Sequence, residues 1–485
     1  MEAGAAGDTA GQTVARAAML RKARLHEQIK YANDPSGFAM SYFFTTLSSE
    51  LTIETVRSIL SRNALVVWNN SDPEEVKHIL EQGAKLRRSL VRSGSSPDVV
   101  LDILTQLVQP KVDGGDATGY RVKMEIPGGK NQTIFIVRED DTYKFLDSAE
   151  KPNGIGLEIL DRVAAGDMAG ARVLLDWLRE EQHLGGGDDP LSGDAFPRLW
   201  TKGQEASAAQ MKIAAAGILA GTKPTAAQGV AILEPALATA ASEQAKLNIQ
   251  LALVTGYENR DDFQKLEALA SELCKQYPES RRAFLNESYA LRHLGRYDEG
   301  EALAAARLKR LPDDVDALVA QALLAQVRGD YAGARVFEQK IETAGRADDS
   351  TLNVIAWLSL FTGTVTDADI QIAIRGTQMN RNSWPILHTL GCLYVEVGKT
   401  KEAHSVFLQA MDLAELDEPN GEFWYAFGRI AEQFAEYDLA HTDYGKVPKP
   451  KNAVNIPGTT YLLAQRRLQT LAAFAAPAGA PAKKK

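Results

Sequence analysis

Cysteine is almost missing. The 485 residues hold two, Cys274 and Cys392, which excludes a disulfide-stapled scaffold and any zinc module built on thiolates. Aromatic residues make up only 7%, too few to favour a β-sandwich with large rings on its inner faces. No apolar run approaches the roughly 18 residues of a membrane-crossing helix. An excess of positive charge is also lacking. Acids outnumber bases 63 to 54, a net charge of −9. That removes the basic footprint of a nucleic-acid binder and the cationic face of a membrane-adsorbed protein. Met1–Thr13 has neither a basic start nor a long apolar stretch, so it does not read as a signal peptide. The expectation is a cytoplasmic protein that neither binds nucleic acid nor inserts into a membrane. A leader upstream of this sequence would move that expectation to the periplasm.

What is present is ordinary for a globular chain, with 45% apolar and 24% charged residues. Alanine runs such as Ala214-Ala215-Ala216 favour close-packed helices. Residues 1–13 and 475–485, rich in Gly, Ala, Pro and terminal Lys, are predicted to be disordered. Residues 14–110 read as mainly helical. Asp72-Pro73-Glu74-Glu75 is a helix start, with an N-cap acid, Pro at the first position and acids at the positive dipole end. Ser96-Pro97-Asp98 repeats the device ahead of Val99–Leu104, and Pro110 is expected to end that helix. Phe38–Leu47 fits a strand or a buried helix equally well.

The period then changes. Tyr120, Val122, Met124 and Ile126 alternate with Arg121, Lys123 and Glu125, the pattern of a half-buried strand. Thr133–Val137 and Tyr143–Leu146 follow, with turns at Pro127–Asn131 and Asp140-Asp141. The expectation for 111–150 is an antiparallel β-meander backed by the preceding helices, a small α+β region. Over this short stretch it resembles the closing strands of cone-shaped folds of the NTF2-like kind, without a diagnostic motif. Residues 151–200 read as a helical hairpin followed by a linker, Gly185-Gly186-Gly187-Asp188-Asp189-Pro190.

A repeat dominates the rest. Gly295, Gly329 and Gly363 stand 34 apart, and Gly398 follows after 35. Five residues beyond each lies a small residue: Gly300, Ala334, Ala368 and Ala403. Pro278 and Pro312 share the same 34-residue interval. A helix–turn–helix unit of this length cannot bury its apolar face alone, so such units stack. Thr366-Asp367-Ala368-Asp369 offers a capping box for one second helix. Leu387, Leu390-Gly391, Tyr394, Ala403 and Phe407 resemble the tetratricopeptide repeat (TPR) pattern W-x2-L-G-x2-Y…A-x3-F, with Leu for Trp. The next copy shows Trp424, Phe427-Gly428, Ala440 and Tyr444, and earlier copies are poorer. The resemblance implies a mainly α, TPR-type α-solenoid over 201–458, a superhelix of helix–turn–helix repeats. Residues 459–474 read as an amphipathic capping helix, with Tyr461, Leu462, Leu463, Leu468 and Leu471 apolar and Arg466-Arg467 exposed.

In TPR proteins the first helix of every unit lines a concave groove. Carried over by register, the resemblance implies a groove face of Leu285, Tyr289, Val319, Leu323, Trp357, Phe361, His388, Cys392, Tyr425 and Arg429. Its apolar middle suits a protein or peptide partner, helical or extended, that presents hydrophobic anchors. The Lys/Asn/Arg clamp that some members use for chaperone carboxylates is not in the matching positions.

Reactive constellations are few. His388 and Cys392 are four apart, so they would share a helix face as a Cys–His pair or as two metal ligands. No third orienting group accompanies them, and repeat packing accounts for both. Asp188, Asp189 and Asp194 lack the spacing of an EF-hand loop and read as solvated linker. Gly128-Gly129 and Gly185–Gly187 have no following Lys-Ser/Thr. No catalytic residue, metal or cofactor is assigned, and the reading is a non-catalytic interaction scaffold. The competing reading is an enzyme or small-ligand site in the N-terminal α+β region, with the repeats as accessory arm. Residues 154–447 also resemble the repeat arm of bacterial proteins whose N-terminal part is transglutaminase-like. Both cysteines fall in repeat helices, so the Cys-His-Asp machinery of such a core is not recognisable.

Overall fold

A computed structural model describes residues 34–47, 52–92, 94, 96, 107–108, 110–125, 131–182 and 189–475. The chain divides into two compact units, Met1–Ala283 and Phe284–Lys485. Among the described residues no helix is long and apolar enough to cross a membrane. The expected helix over 97–104, residues 127–130 of the expected turn, Gly185–Asp188, residues 1–13 and residues 476–485 lie outside the described residues, while Ala475, expected in the tail, is helical.

The first unit opens with α1 (Pro35–Leu47), α2 (Ile53–Ile59), α3 (Arg62–Asn70) and α4 (Pro73–Arg92). The ambiguous stretch at Phe38 is therefore helical. Helix α4 begins where the Asp72-Pro73 signal put it, with Asp72 Oδ1 accepting the Glu74 N–H at 2.9 Å. Four strands follow: β1 (Pro110–Gly115), β2 (Gly119–Met124), β3 (Gln132–Glu139) and β4 (Thr142–Ser148), antiparallel in the order 1-2-3-4. Strand β1 is an addition to the three expected. Pro110 opens an edge strand, which tolerates the missing N–H, and Lys111–Gly114 are exposed, so no alternation marks the strand in the sequence. Asp140 and Asp141 form the tight β3–β4 turn with φ of 49° and 59°.

The meander is covered on both faces, where the sequence suggested one. Ile134 and Ile136 point into a core with Val56, Val122 and Met124. Phe135 and Val137 point the other way, into a core with Ile155, Ile159, Leu174 and Leu178. The latter come from α5 (Asn153–Ala164) and α6 (Met168–Glu181). Arg121, which alternation turned toward water, is 7% exposed instead. It pairs with Asp113 at 2.6 Å and with Glu180 and Glu181, and lies 5.4 Å from the Trp177 ring centroid. Beyond come α7 (Phe196–Leu199), α8 (Ala208–Ala220), α9 (Lys223–Ala238), α10 (Glu243–Asn259) and α11 (Phe263–Gln276). Helices α8 and α9 touch so closely that a Cβ at Gly229 would lie 2.6 Å from the Ala216 carbonyl oxygen.

The second unit consists of helical hairpins. Helix α12 (Arg281–His293), whose first turn belongs to the preceding unit, pairs in the repeat with α13 (Tyr297–Arg310). Then come α14 (Val315–Val327) with α15 (Tyr331–Thr343), and α16 (Asp349–Thr362) with α17 (Asp367–Met379). Next are α18 (Trp384–Glu396) with α19 (Thr400–Leu413), and α20 (Gly421–Gln433) with α21 (Tyr437–Gly445). A last helix, α22, spans Thr460–Ala475. The first helices start 34, 34, 35 and 37 residues apart, a stack of helix–turn–helix repeats as the sequence spacing implied. Gly295, Gly329, Gly363 and Gly398 all take left-handed φ, between 72° and 117°, at the turn inside each hairpin. The same turn position is held by Asp261 (φ 55°) ahead of α11 and by Ala435 (φ 60°) ahead of α21. An L-alanine is strained there, so Ala435→Gly should stabilise the chain by roughly 1 kcal/mol in urea denaturation.

Gly391 and Gly428 are the close-approach positions of the two best copies. A Cβ there would lie 2.3 Å from Phe407 and 2.7 Å from Tyr444. One copy departs from the pattern. After Gly363 the turn runs longer, α17 starts at Asp367, and Ala368 is exposed rather than packed. The capping box is formed there as expected between Thr366 and Asp369, and buried Asp369 pairs with Arg335.

Glu338 on α15 is 3% exposed. Burial, with the Asp348 carboxylate nearby, pushes its pKa up to about 7. The folded state therefore holds this proton more tightly than the unfolded chain. The associated stability is full below the unfolded pKa and is lost as pH rises through about 7. Glu338→Gln should gain roughly 2–3 kcal/mol over the parent near pH 8 and nothing near pH 4, measured by denaturation at both.

Candidate functional site

The five first helices of the second unit carry equivalent positions, counted from each helix start. Leu285 and Tyr289 stand on α12, Val319 and Leu323 on α14, His388 and Cys392 on α18, and Tyr425 and Arg429 on α20. On α16 the matching pair is Asn353 and Trp357. Phe361 lies one turn further and stacks on Tyr331 of α15, ring centroids 4.6 Å apart. Asn353 was missing from the sequence-derived face. Its signal was the same 34-residue interval, from Val319 to Asn353 and from Leu323 to Trp357.

These residues differ sharply in access. Leu285 and Leu323 are 37% and 39% exposed. Tyr289, Val319 and Trp357 are half-buried. Phe361, His388, Cys392, Tyr425 and Arg429 are all 9% exposed or less. Part of the difference lies in the repeats, where Trp357, Phe407 and Phe423 enclose His388 with ring centroids 5.2–5.8 Å away, and part in the end of the chain. After Val447 it runs back along the first helices, and the Asn452 amide meets His293 Nδ1 at 3.2 Å. Trp357 Nε1 donates to the Gly458 carbonyl at 2.6 Å. Helix α22 then packs on α20 and α21 and reaches α16 through one side chain. The Arg466 guanidinium sits 5.4 Å from the Phe361 ring centroid. Leu463, Ala464 and Leu471 join the core that holds Tyr425 and Tyr444. A pocket of about 260 Å³ stays open beside them, walled by Asn353, Trp357, Trp384, His388, Thr389 and Gly458.

Buried charge fixes α22 from below. Arg429 donates to both oxygens of Glu396 at 2.8 and 2.9 Å and to Glu432 at 2.7 Å. Glu432 also accepts from Tyr444 at 2.6 Å and from Arg467 of α22 at 3.0 Å. Burial works against the Arg429 charge, but the Glu396 carboxylate outweighs it and raises the pKa.

The Cys–His pair does form a contact, with Sγ 3.8 Å from His388 Nε2. The same nitrogen lies 3.1 Å from the Glu422 carbonyl oxygen. Burial lowers the His388 pKa and pushes the Cys392 thiol well above its usual value. A neutral thiol beside a neutral imidazole is no activated nucleophile. Asp189 is likewise spent on structure. It accepts from the Leu191 N–H at 2.9 Å, the Arg282 N–H at 3.0 Å and the Ser280 hydroxyl at 3.1 Å.

Among solved structures, the fold is similar to a tetratricopeptide repeat protein from Parabacteroides merdae. The two share 17% identity over 52% of this chain and 93% of that one, with a TM-score of 0.39. It is also similar to YrrB, described as a TPR protein with an unusual peptide-binding site. There the identity is 15% over 41% of this chain and 97% of that one, with a TM-score of 0.30. A third is the APC/C hetero-tetramer Cut9–Hcn1, at 13% identity over 64% of this chain and 60% of that one, TM-score 0.34. No protein-family model and no curated protein matches the sequence.

Proposed function

We propose that this chain is a non-catalytic interaction scaffold, taking an amphipathic segment of a partner protein along the first helices of its second unit. The observation that carries the reading is the pair Leu285 and Leu323. Two large apolar side chains stay more than a third exposed at the positions that, further along, carry α22. Helix α22 supports the reading as an internal example, because a helix with apolar anchors already seats on this kind of surface. The partner would begin at α12 and α14 and reach the pocket between Trp357 and Trp384. Tyr425 and Arg429, in the core and ion cluster that α22 completes, become accessible only when it leaves.

The test is partner capture from the source cell by the full chain and by the double variant Leu285→Asp, Leu323→Asp. Exposed leucines contribute little to folding but about 1.5–3 kcal/mol each when a partner covers them, so capture should fall more than tenfold. Val336→Asp, also at an exposed apolar position, on the second helix α15, is the control and should change nothing. Equal capture by both variants would remove the assignment.

A further inference from the structure

The first unit contains a cavity of about 170 Å³ that the scaffold reading does not use. It lies where α5 begins, α6 ends, α8 ends and α9 begins. Three buried oxygens there have no hydrogen-bond partner among the described residues: Asn153 Oδ1, Gln182 Oε1 and Thr222 Oγ1. Asn153 is 4% exposed, so its carbonyl cannot turn to bulk water. Thr222 is the N-cap residue of α9, yet its side chain makes no cap bond. A hydroxyl that forgoes the role its position offers, and is left unsatisfied, costs stability unless something else meets it.

What would meet it follows from the wall. Two carboxylate residues, Glu150 and Asp194, line the cavity, and among the described residues no lysine, arginine or histidine does. Arg282 stands behind the wall, bonded to the Thr255 hydroxyl at 3.1 Å, and offsets Asp194 in part. The helix ends cancel, since two N-termini and two C-termini converge. The lining itself is acidic, with Arg198 and Arg282 behind it, and the unmet groups are acceptors. Phe196 and Ile218 supply an apolar floor. We infer that this cavity is a binding site for a small primary ammonium compound, its three N–H groups answering the three oxygens and a short methylene chain lying on the floor. The volume suits a molecule of several non-hydrogen atoms rather than a macromolecule's segment.

The inference is independent of partner docking, which it neither needs nor excludes. The experiment is calorimetric titration of the full chain with n-butylammonium chloride, and with 1-butanol as the neutral probe of equal length. Saturable one-to-one binding of butylammonium, at least tenfold tighter than butanol, is the expected result. Thr222→Val keeps the shape and removes one acceptor, so it should weaken butylammonium about tenfold or more. Because that hydroxyl makes no cap bond, the variant should melt no lower than the parent. Gln182→Leu serves as the second variant and should also lose affinity. Absence of saturable binding, equal binding of butanol, or unchanged affinity in both variants would each overturn the assignment.

Discussion

Arg429→Ala should destabilise the chain by about 3–5 kcal/mol, the cost of removing one partner from a buried ion cluster. The size follows from what is left behind. Arg429 is 5% exposed and Glu432's side chain 8%, so neither Glu432 nor the adjoining Glu396 carboxylate regains full hydration when the guanidinium goes. Arg467 does not replace it, because it approaches Glu432 from the α22 side and feels Glu396 only at a distance, with no hydrogen bond to it. Arg467→Ala should cost far less, about 1 kcal/mol, since that side chain is 32% exposed and water can take its place. Adding Glu396→Gln and Glu432→Gln to Arg429→Met should recover much of the loss by discharging the cluster instead of orphaning it. Urea denaturation of the four chains checks the series. A loss below 1 kcal/mol for Arg429→Ala would mean that water reaches the cluster.

The repeat was legible because its physics is periodic. A left-handed turn residue, a small residue at the helix crossing and an aromatic facing it recur at fixed intervals, and Gly391 with Phe407 and Gly428 with Tyr444 obey the rule. The units hidden from a glycine search are those whose turn residue is another type. Asp261 and Ala435 occupy the left-handed position without announcing it. Strand β1 was invisible for a related reason: an exposed edge strand needs no apolar alternation, and Pro110-Lys111-Val112-Asp113-Gly114 has none. Arg121 misled the pattern because a polar residue in a half-buried strand normally faces water. Here a second layer of helices brings Glu180 and Glu181 over it.

The candidate face was half legible. Register found the helices, and counting from the helix starts restores Asn353 to the set. Which positions would be covered could not be read from the register alone, because coverage depends on the aromatics packed around His388 and on where the chain goes after Val447. Thr459–Phe474 was recognisable as an amphipathic helix, but sequence periodicity says only that one face seeks apolar company. It does not say whether that company is the last hairpin alone or several first helices at once.

Leu463→Asp combined with Leu471→Asp should unseat α22 altogether. Both leucines are nearly fully buried, 5% and 6% exposed, and each contributes about 1.5–3 kcal/mol to the seat. Their joint loss, with two charges placed on an apolar surface, exceeds what Arg467–Glu432 and the Trp357–Gly458 hydrogen bond can hold. A free helix of 16 residues is marginal in water, so the segment should leave the surface as coil rather than as a displaced helix. Trypsin should then cut quickly at Arg466-Arg467, and Trp357 emission should shift to the red as Gly458 departs. The hairpins beneath remain stacked through Phe407, Phe423 and Tyr444, so helical circular dichroism should fall only by the share of α22. If α22 and the partner compete for one surface, the unseated chain should bind that partner more tightly, by the inverse of the fraction of time the parent leaves the surface open. Fast cleavage without any gain in affinity would place docking wholly on α12 and α14, whereas cleavage no faster than in the parent would mean the helix is not held by its leucines.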